Sequence, residues 1–323
     1  MKTKYLKESK IPMIEVENEL GLKVVFSTIG ASIYSISFNN ELMTLTPKTF
    51  TDFVKSSIYY GKTIGGISNR VRNGLVKIDD KEYHLLLNEG ENALHGGQFC
   101  LSNTVFTPKV TFGKNYFSIL YSFKKKKMKD GLPGNITYYI SYSLNDISSD
   151  LLIDFKAMSD DKTVVALTNH LYFCLGDENL DHLFLTIPAD KYVEPNPIDL
   201  VPEVEKDIIP CLDFRKKKPI MKDINDSYLQ NSKTLGYDHH FILNSKDKPI
   251  ILENNRYKLE ITSDFSGAQI YTDNYADNIE MKSTTYLNHR GVAIEPQDSP
   301  LERLPLEKNH LYHHQIVYSF SKK

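Results

Sequence analysis

Apolar and polar side chains alternate along much of this chain, and a period of two residues is the signature of half-buried strands. From Ile136, the residues Ile136, Tyr138, Ile140, Tyr142 and Leu144 share one face, while Thr137, Ser141 and Ser143 fall on the other. Asn145, Asp146, Ser148 and Ser149 then supply turn chemistry. Beyond them Leu151, Ile153, Phe155 and Ala157 alternate with Asp154 and Lys156, so the pair reads as a hairpin. The same alternation recurs at Phe117, Ile119, Tyr121 and Phe123, and at Tyr257, Leu259 and Ile261. Thr49 to Ile58 is the kind of short stretch that suits a helix.

Composition points the same way. The chain has 20 Tyr and 16 Phe but no Trp and only 8 Ala, which favours strands over helices. Its 323 residues allow two average domains or one large unit. Neither a linker-like tract nor an internal repeat interrupts it. The expectation is an all-β protein, a large antiparallel β-sandwich or barrel with few short helices, forming a single domain over residues 1–323.

Lys plus Arg total 39 and Asp plus Glu 41, a formal charge of −2. That balance lacks the basic excess of a nucleic-acid binder, and the apolar runs are too short for a membrane helix. The lysine runs Lys124–Lys127 and Lys216–Lys218 read as solvated loop tips. Met1 to Glu17 contains no apolar run of the signal-peptide kind, so a cytoplasmic location is expected. Cys100, Cys174 and Cys211 are widely spaced and read as buried free thiols.

Several motifs fail on inspection. Gly61-Lys62-Thr63 resembles the end of a phosphate-binding loop, but the glycine needed five residues earlier is Ser56. His239 and His240, adjacent on a strand, would point to opposite faces and so not share an ion. His310, His313 and His314 have no carboxylate cluster beside them in sequence and read as surface histidines. No metal is expected.

What remains is a scattered polar set: Asn69 and Arg70, His95 beside Gly96-Gly97, His170, Asp238, and Glu295 with Gln297. Each alone has a structural explanation. Two carry more local information. If Thr163 to Phe173 is one strand, His170 shares a face with Val164, Ala166 and Tyr172. Likewise Val292 and Ile294 face one way while Ala293, Glu295 and Gln297 face the other, and a glutamate buried on that face would be costly unless used.

In order and local context this set resembles the aldose 1-epimerase family, the galactose mutarotases. The matching stretches are Asn69-Arg70 with Asn73-Gly74, Asn92 to Gly97, Thr168 to His170, Tyr237 to His239, and Glu295 with Gln297, spread from about residue 20 to the C-terminus. The resemblance implies a β-sandwich that interconverts the α and β anomers of free aldoses such as galactose or glucose, without a cofactor. It implies Glu295 as general base at the C1 hydroxyl and His170 as general acid at the ring oxygen, on opposite sides of the sugar. Arg70, His95 and Asp238 would hold the hydroxyls, with Asn69 and Gln297 in support. Tyr172 is the candidate apolar platform, since no Trp can serve. The expected partner is a small aldose, with no nucleic acid or membrane, and the chain a monomer or homodimer.

The sequence departs from the family pattern at Cys100, Phe106, His240, Pro300-Leu301 and Glu307-Lys308-Asn309, which bears on substrate preference. The alternatives are a sugar-phosphate epimerase, which wants an additional basic pocket, and a sugar-binding protein without catalysis, which has no need of an acid–base pair. A polysaccharide lyase or hydrolase on a similar sandwich would want a long cleft and further domains.

Overall fold

The computed structural model describes residues 1–6, 11–230 and 232–323. Strands dominate, gathered mainly into antiparallel sheets of nine, six and five strands. The expected hairpin is present as Ile136–Asn145 paired with Asp150–Ser159, in the centre of the nine-stranded sheet. Leu311–Lys322 runs beside it and joins it to Tyr257–Ser263. The predicted inward residues Tyr138, Ile140, Tyr142, Ile153 and Phe155 all enter one continuous hydrophobic core, joined there by Tyr318 and Phe320. The buried Tyr142 hydroxyl donates to the carbonyl of Ala31, the residue before the Ser32–Phe38 strand, and so ties the five-stranded sheet to the nine-stranded one.

The six-stranded sheet positions the site. Its strand order is Tyr172–Phe173, Val292–Gln297, Gly267–Tyr271, Asp238–Leu243, Ala189–Pro195 and Pro202–Asp207. Val292, Ile294, Ala268, Ile270 and Phe241 belong to the main core, whereas Ala293 packs into a second cluster with Tyr172, Phe50 and Phe53. Alternation therefore sends Glu295, Gln269 and His240, which are register partners in successive strands, to the face away from the main core.

The predicted helix is Phe50–Lys55, six residues long. Thr49 caps it, its hydroxyl accepting from the Asp52 amide at 3.1 Å, and Phe50 and Phe53, three apart, face inward.

Three expectations need correction. Thr163 to Phe173 is not one strand but three short ones, Thr163–Val164, Thr168–Asn169 and Tyr172–Phe173, paired respectively with Pro305–Leu306, Thr63–Ile64 and the Val292–Gln297 strand. The segment crosses between sheets, so it must break at each change of partner. Within the lysine runs, Lys125 and Lys218 are buried, because Asp130 (2.6 Å) and Asp223 (2.9 Å) accept their ammonium groups. And His314 does have carboxylates beside it, Asp264 at 3.3 Å and Asp298 at 3.4 Å, brought there from other loops. The three cysteines are buried and free.

Candidate active site

Folding brings Asn69, Arg70, His95, His170, Tyr172, Asp238 and Glu295 to the wall of one cavity of about 360 Å³. Gln297 is not among its lining residues. It lies one alternation further along the Glu295 strand, 1% exposed, and neither atom of its amide has a hydrogen-bond partner among the described residues.

Glu295 Oε1 lies 3.3 Å from His170 Nε2. The residues expected as acid and base are thus not on opposite sides of the cavity but in contact. This suits the chemistry of a hemiacetal, whose two oxygens are both bonded to C1. Glu295 is 1% exposed and its other oxygen has no partner. Burial, helped by the nearby Asp238 charge, pushes its pKa well above the usual carboxylate range, against the pull of Arg70. Burial lowers His170 to about 3. The His170 ring rests on Tyr172, with centroids 5.0 Å apart, and lies 5.7 Å from the Tyr59 ring. Tyr172 is 2% exposed, so most of its ring is covered by protein.

Arg70 is held from two sides. Its Nε and Nη2 reach Glu89 at 2.8 and 3.0 Å, and Nη1 reaches Asp238 at 3.4 Å. Burial opposes its charge, but Asp238 and Glu89 more than offset this and its pKa is raised. Of its five N–H groups, two remain for a ligand. His95 accepts the Asn69 amide at Nδ1, 3.3 Å away, which leaves the proton on Nε2 and makes that atom a donor. Burial and the neighbouring His170 and Arg70 lower its pKa, so the ring is neutral.

His95 and the two glycines after it all have positive φ, of 55°, 96° and 71°. A Cβ on Gly97 would lie 2.1 Å from the Leu86 carbonyl oxygen, so glycine is required there to turn the chain back under the histidine.

Gln269 and Glu89 were not among the residues singled out from sequence. Gln269 donates to Asp238 Oδ1 at 2.6 Å and accepts from Asn69 Nδ2 at 3.0 Å. Asn69 Oδ1 accepts the Arg70 amide at 2.7 Å, so the Asn69 side chain serves the scaffold. Strand alternation within Gly267–Tyr271 could have flagged Gln269, and Glu89 lies six residues before His95. Tyr59, Tyr271, Leu200 and Lys233 are also part of the wall. No group of three or more metal-binding side chains occurs among the described residues. Nor is any of their helices long and apolar enough to cross a membrane.

A carboxyl and an imidazole in contact at the wall of a cavity that also presents Arg70, His95 and Asp238, on packed antiparallel sheets, define an acid–base enzyme for a small polyhydroxylated ligand. The comparisons with known proteins are narrower. A family model described as aldose 1-epimerase matches residues 12–310. The galactose mutarotase of Homo sapiens is 30% identical over 262 residues, 77% of this chain and 72% of that one. The aldose 1-epimerase of Haemophilus influenzae is 28% identical over 302 residues, 89% of this chain and 86% of that one. A solved galactose 1-epimerase from Lactobacillus acidophilus has the same fold, with a TM-score of 0.90 at 24% identity, each chain covered to 99%. The chain belongs to the aldose 1-epimerase family and is an isomerase.

Proposed function

We propose that Glu295 and His170 together open and reclose the ring of a free hexose such as galactose or glucose, exchanging its anomers. The observation that carries this is the 3.3 Å approach of Glu295 Oε1 to His170 Nε2 at the wall of the cavity. Both pKa shifts penalise charge, so the resting pair is neutral and holds one proton between the two atoms. The ion-pair tautomer contains the same number of protons. From it, the carboxylate takes the proton of the C1 hydroxyl while the imidazolium gives one to the ring oxygen. The C1–O5 bond breaks, leaving an aldehyde, a C5 hydroxyl and the neutral pair.

Rotation about C1–C2 turns the other carbonyl face to the C5 hydroxyl. As the ring closes, His170 takes the C5 proton and Glu295 returns one to the carbonyl oxygen, so the ion pair reappears. Burial thus favours the protonation state that accompanies the open sugar. Positioned acid–base groups of this kind contribute about 10²- to 10⁴-fold each.

Arg70, His95 and Asp238 supply two N–H groups, one Nε2–H and a carboxylate for the remaining hydroxyls, fixing the ring against the pair. Asn69 and Gln269 support them. We read residues 1–323 as a single functional domain, supported by a main core that draws on residues from Ile14 to Phe320. Polarimetry of freshly dissolved α-D-galactose and α-D-glucose tests the reaction: wild type equilibrates them rapidly, and Glu295→Gln and His170→Asn fall to near the buffer rate. A wild type no faster than buffer on any aldose overturns the proposal.

A further inference from the structure

We infer that a separate cavity, bounded by the same chain segments as the catalytic one, binds a phosphate-type oxyanion and is coupled to sugar binding through Arg303. The coupling rests on the proposed reaction at Glu295 and His170; the site itself does not. The cavity has a volume of about 510 Å³ and shares no lining residue with the catalytic cavity. Connectivity places it. Ser68 in its wall is two residues before Arg70, Ala166 is four before His170, and Asp298 is three after Glu295. The Ser68 amide donates to the Ala166 carbonyl at 2.9 Å, which joins two of these segments.

Arg303 connects the two sites. Its Nη2 donates to the Arg70 carbonyl at 2.7 Å, while its Nε is buried without a partner. No carboxylate pairs with this guanidinium among the described residues, and burial alone pulls its pKa down to about 10. An unpaired cation taken from water is costly, so an anion seated beside it offsets part of that cost.

The wall holds further donors that lack acceptors. The Tyr312 hydroxyl accepts the Leu167 amide at 3.0 Å, which leaves its own proton uncommitted, and the Ser68 hydroxyl has no partner among the described residues. The carboxylates of the wall are otherwise engaged. Asp298 accepts from the amide and hydroxyl of Ser266 at 3.1 and 3.0 Å and faces His314 at 3.4 Å, and Glu302 is exposed to water. Free donors on Arg303, Tyr312 and Ser68 suit a ligand with several acceptor oxygens around one centre, as a phosphate has. Such an anion on Nε and Nη1 leaves Nη2 on the Arg70 carbonyl. It fixes the guanidinium and thereby the backbone that presents Arg70 to the sugar, an effect on KM rather than on kcat.

Calorimetry with inorganic phosphate, against sodium chloride of equal ionic strength, reads the site: one phosphate binds per chain. Arg303→Gln abolishes binding, and Ser68→Ala, which removes a hydroxyl with no other partner, weakens it about 10-fold, the worth of a hydrogen bond to a charged group. Polarimetry on α-D-galactose, corrected for phosphate-catalysed background, reads the coupling. Saturating phosphate lowers KM about 5-fold in wild type, at the low end of ordinary coupling between sites, and leaves it unchanged in Arg303→Gln. Glucose 1-phosphate, which has no free anomeric hydroxyl to react, separates the sources: Arg303-dependent binding tighter than that of phosphate assigns the site to a sugar phosphate, and weaker binding assigns it to the free ion. No phosphate binding by wild type, equal binding by wild type and Ser68→Ala, or a KM indifferent to bound phosphate each overturn the proposal while the reaction stands. No exchange of any sugar, with phosphate bound as expected, overturns the reaction and the coupling and supports the site alone.

Discussion

Gln269 donates its amide to Asp238 Oδ1 at 2.6 Å, from the strand between those of Asp238 and Glu295. One side chain thereby links the carboxylate assigned to the sugar hydroxyls to the strand next to the catalytic one. Gln269→Leu removes one hydrogen bond from Asp238 and one from Asn69 together. The expected loss is about 1–2 kcal/mol of binding, a KM roughly 5- to 30-fold higher with kcat changed far less. Steady-state polarimetry separates the two, and a fall confined to kcat would show that Gln269 acts on the chemistry instead.

The pH dependence of anomer exchange follows from the shared proton. The pair is inactive when it takes a second proton and when it loses its only one. Burial lowers His170 to about 3 and raises Glu295, so both limbs move outward from the ordinary values. On the acid side, the expected kcat profile shows no limb at pH 6.5, where an unperturbed histidine would show one. A kcat that rises with pH through a midpoint near 6.5 contradicts the assignment.

Stability has a steeper dependence. Burial depresses His95, His170 (to about 3), His239 (to about 4) and His240 (to about 3) in the folded chain. Unfolded, each takes up a proton near pH 6.5, so stability is fully present above that pH and is lost as the pH falls below it. Each such histidine costs about 1.4 kcal/mol per pH unit between its unfolded and folded values. Glu295 and Asp273, raised by burial, act with the opposite sign, but they are two against four. Urea midpoints should therefore fall from pH 7.5 to pH 5.5, and His240→Leu, which removes a ring with no hydrogen bonds, should reduce that fall.

Lys125 and Asp130, 5% and 4% exposed by side chain, meet at 2.6 Å. Asp130→Ala leaves the ammonium buried and unpaired, at a cost of about 3–5 kcal/mol. Pairing Asp130→Ala with Lys125→Met should recover most of it. Denaturant midpoints of the single and double variants decide this, and a single variant within 1 kcal/mol of wild type, on the order of an exposed pair, would mean that water reaches the site.

Period-two alternation made the strands legible, and it put Glu295 on the face away from the core because Val292 and Ile294 are apolar and Ala293 is small. It could have put Gln269 on the same face but not shown what it bonds, because its partners lie 31 and 200 positions away in sequence. The site residues came from motif order, which is silent on distance; the contact between Glu295 and His170 depends on a segment that changes sheets twice, and no local periodicity encodes such a crossing. Lys125 and Lys218 looked solvated because their carboxylate partners, though close in sequence, lie in a turn and a short 3-10 helix that only the folded chain brings onto them.

The Val292–Gln297 strand is buried at every position and carries core residues on one side and the carboxyl proposed as catalytic on the other. Its amides should exchange with solvent only when the whole molecule opens. An enzyme whose base sits there has no partly opened form that keeps its fold and loses its chemistry, so heat should abolish activity and structure in a single event.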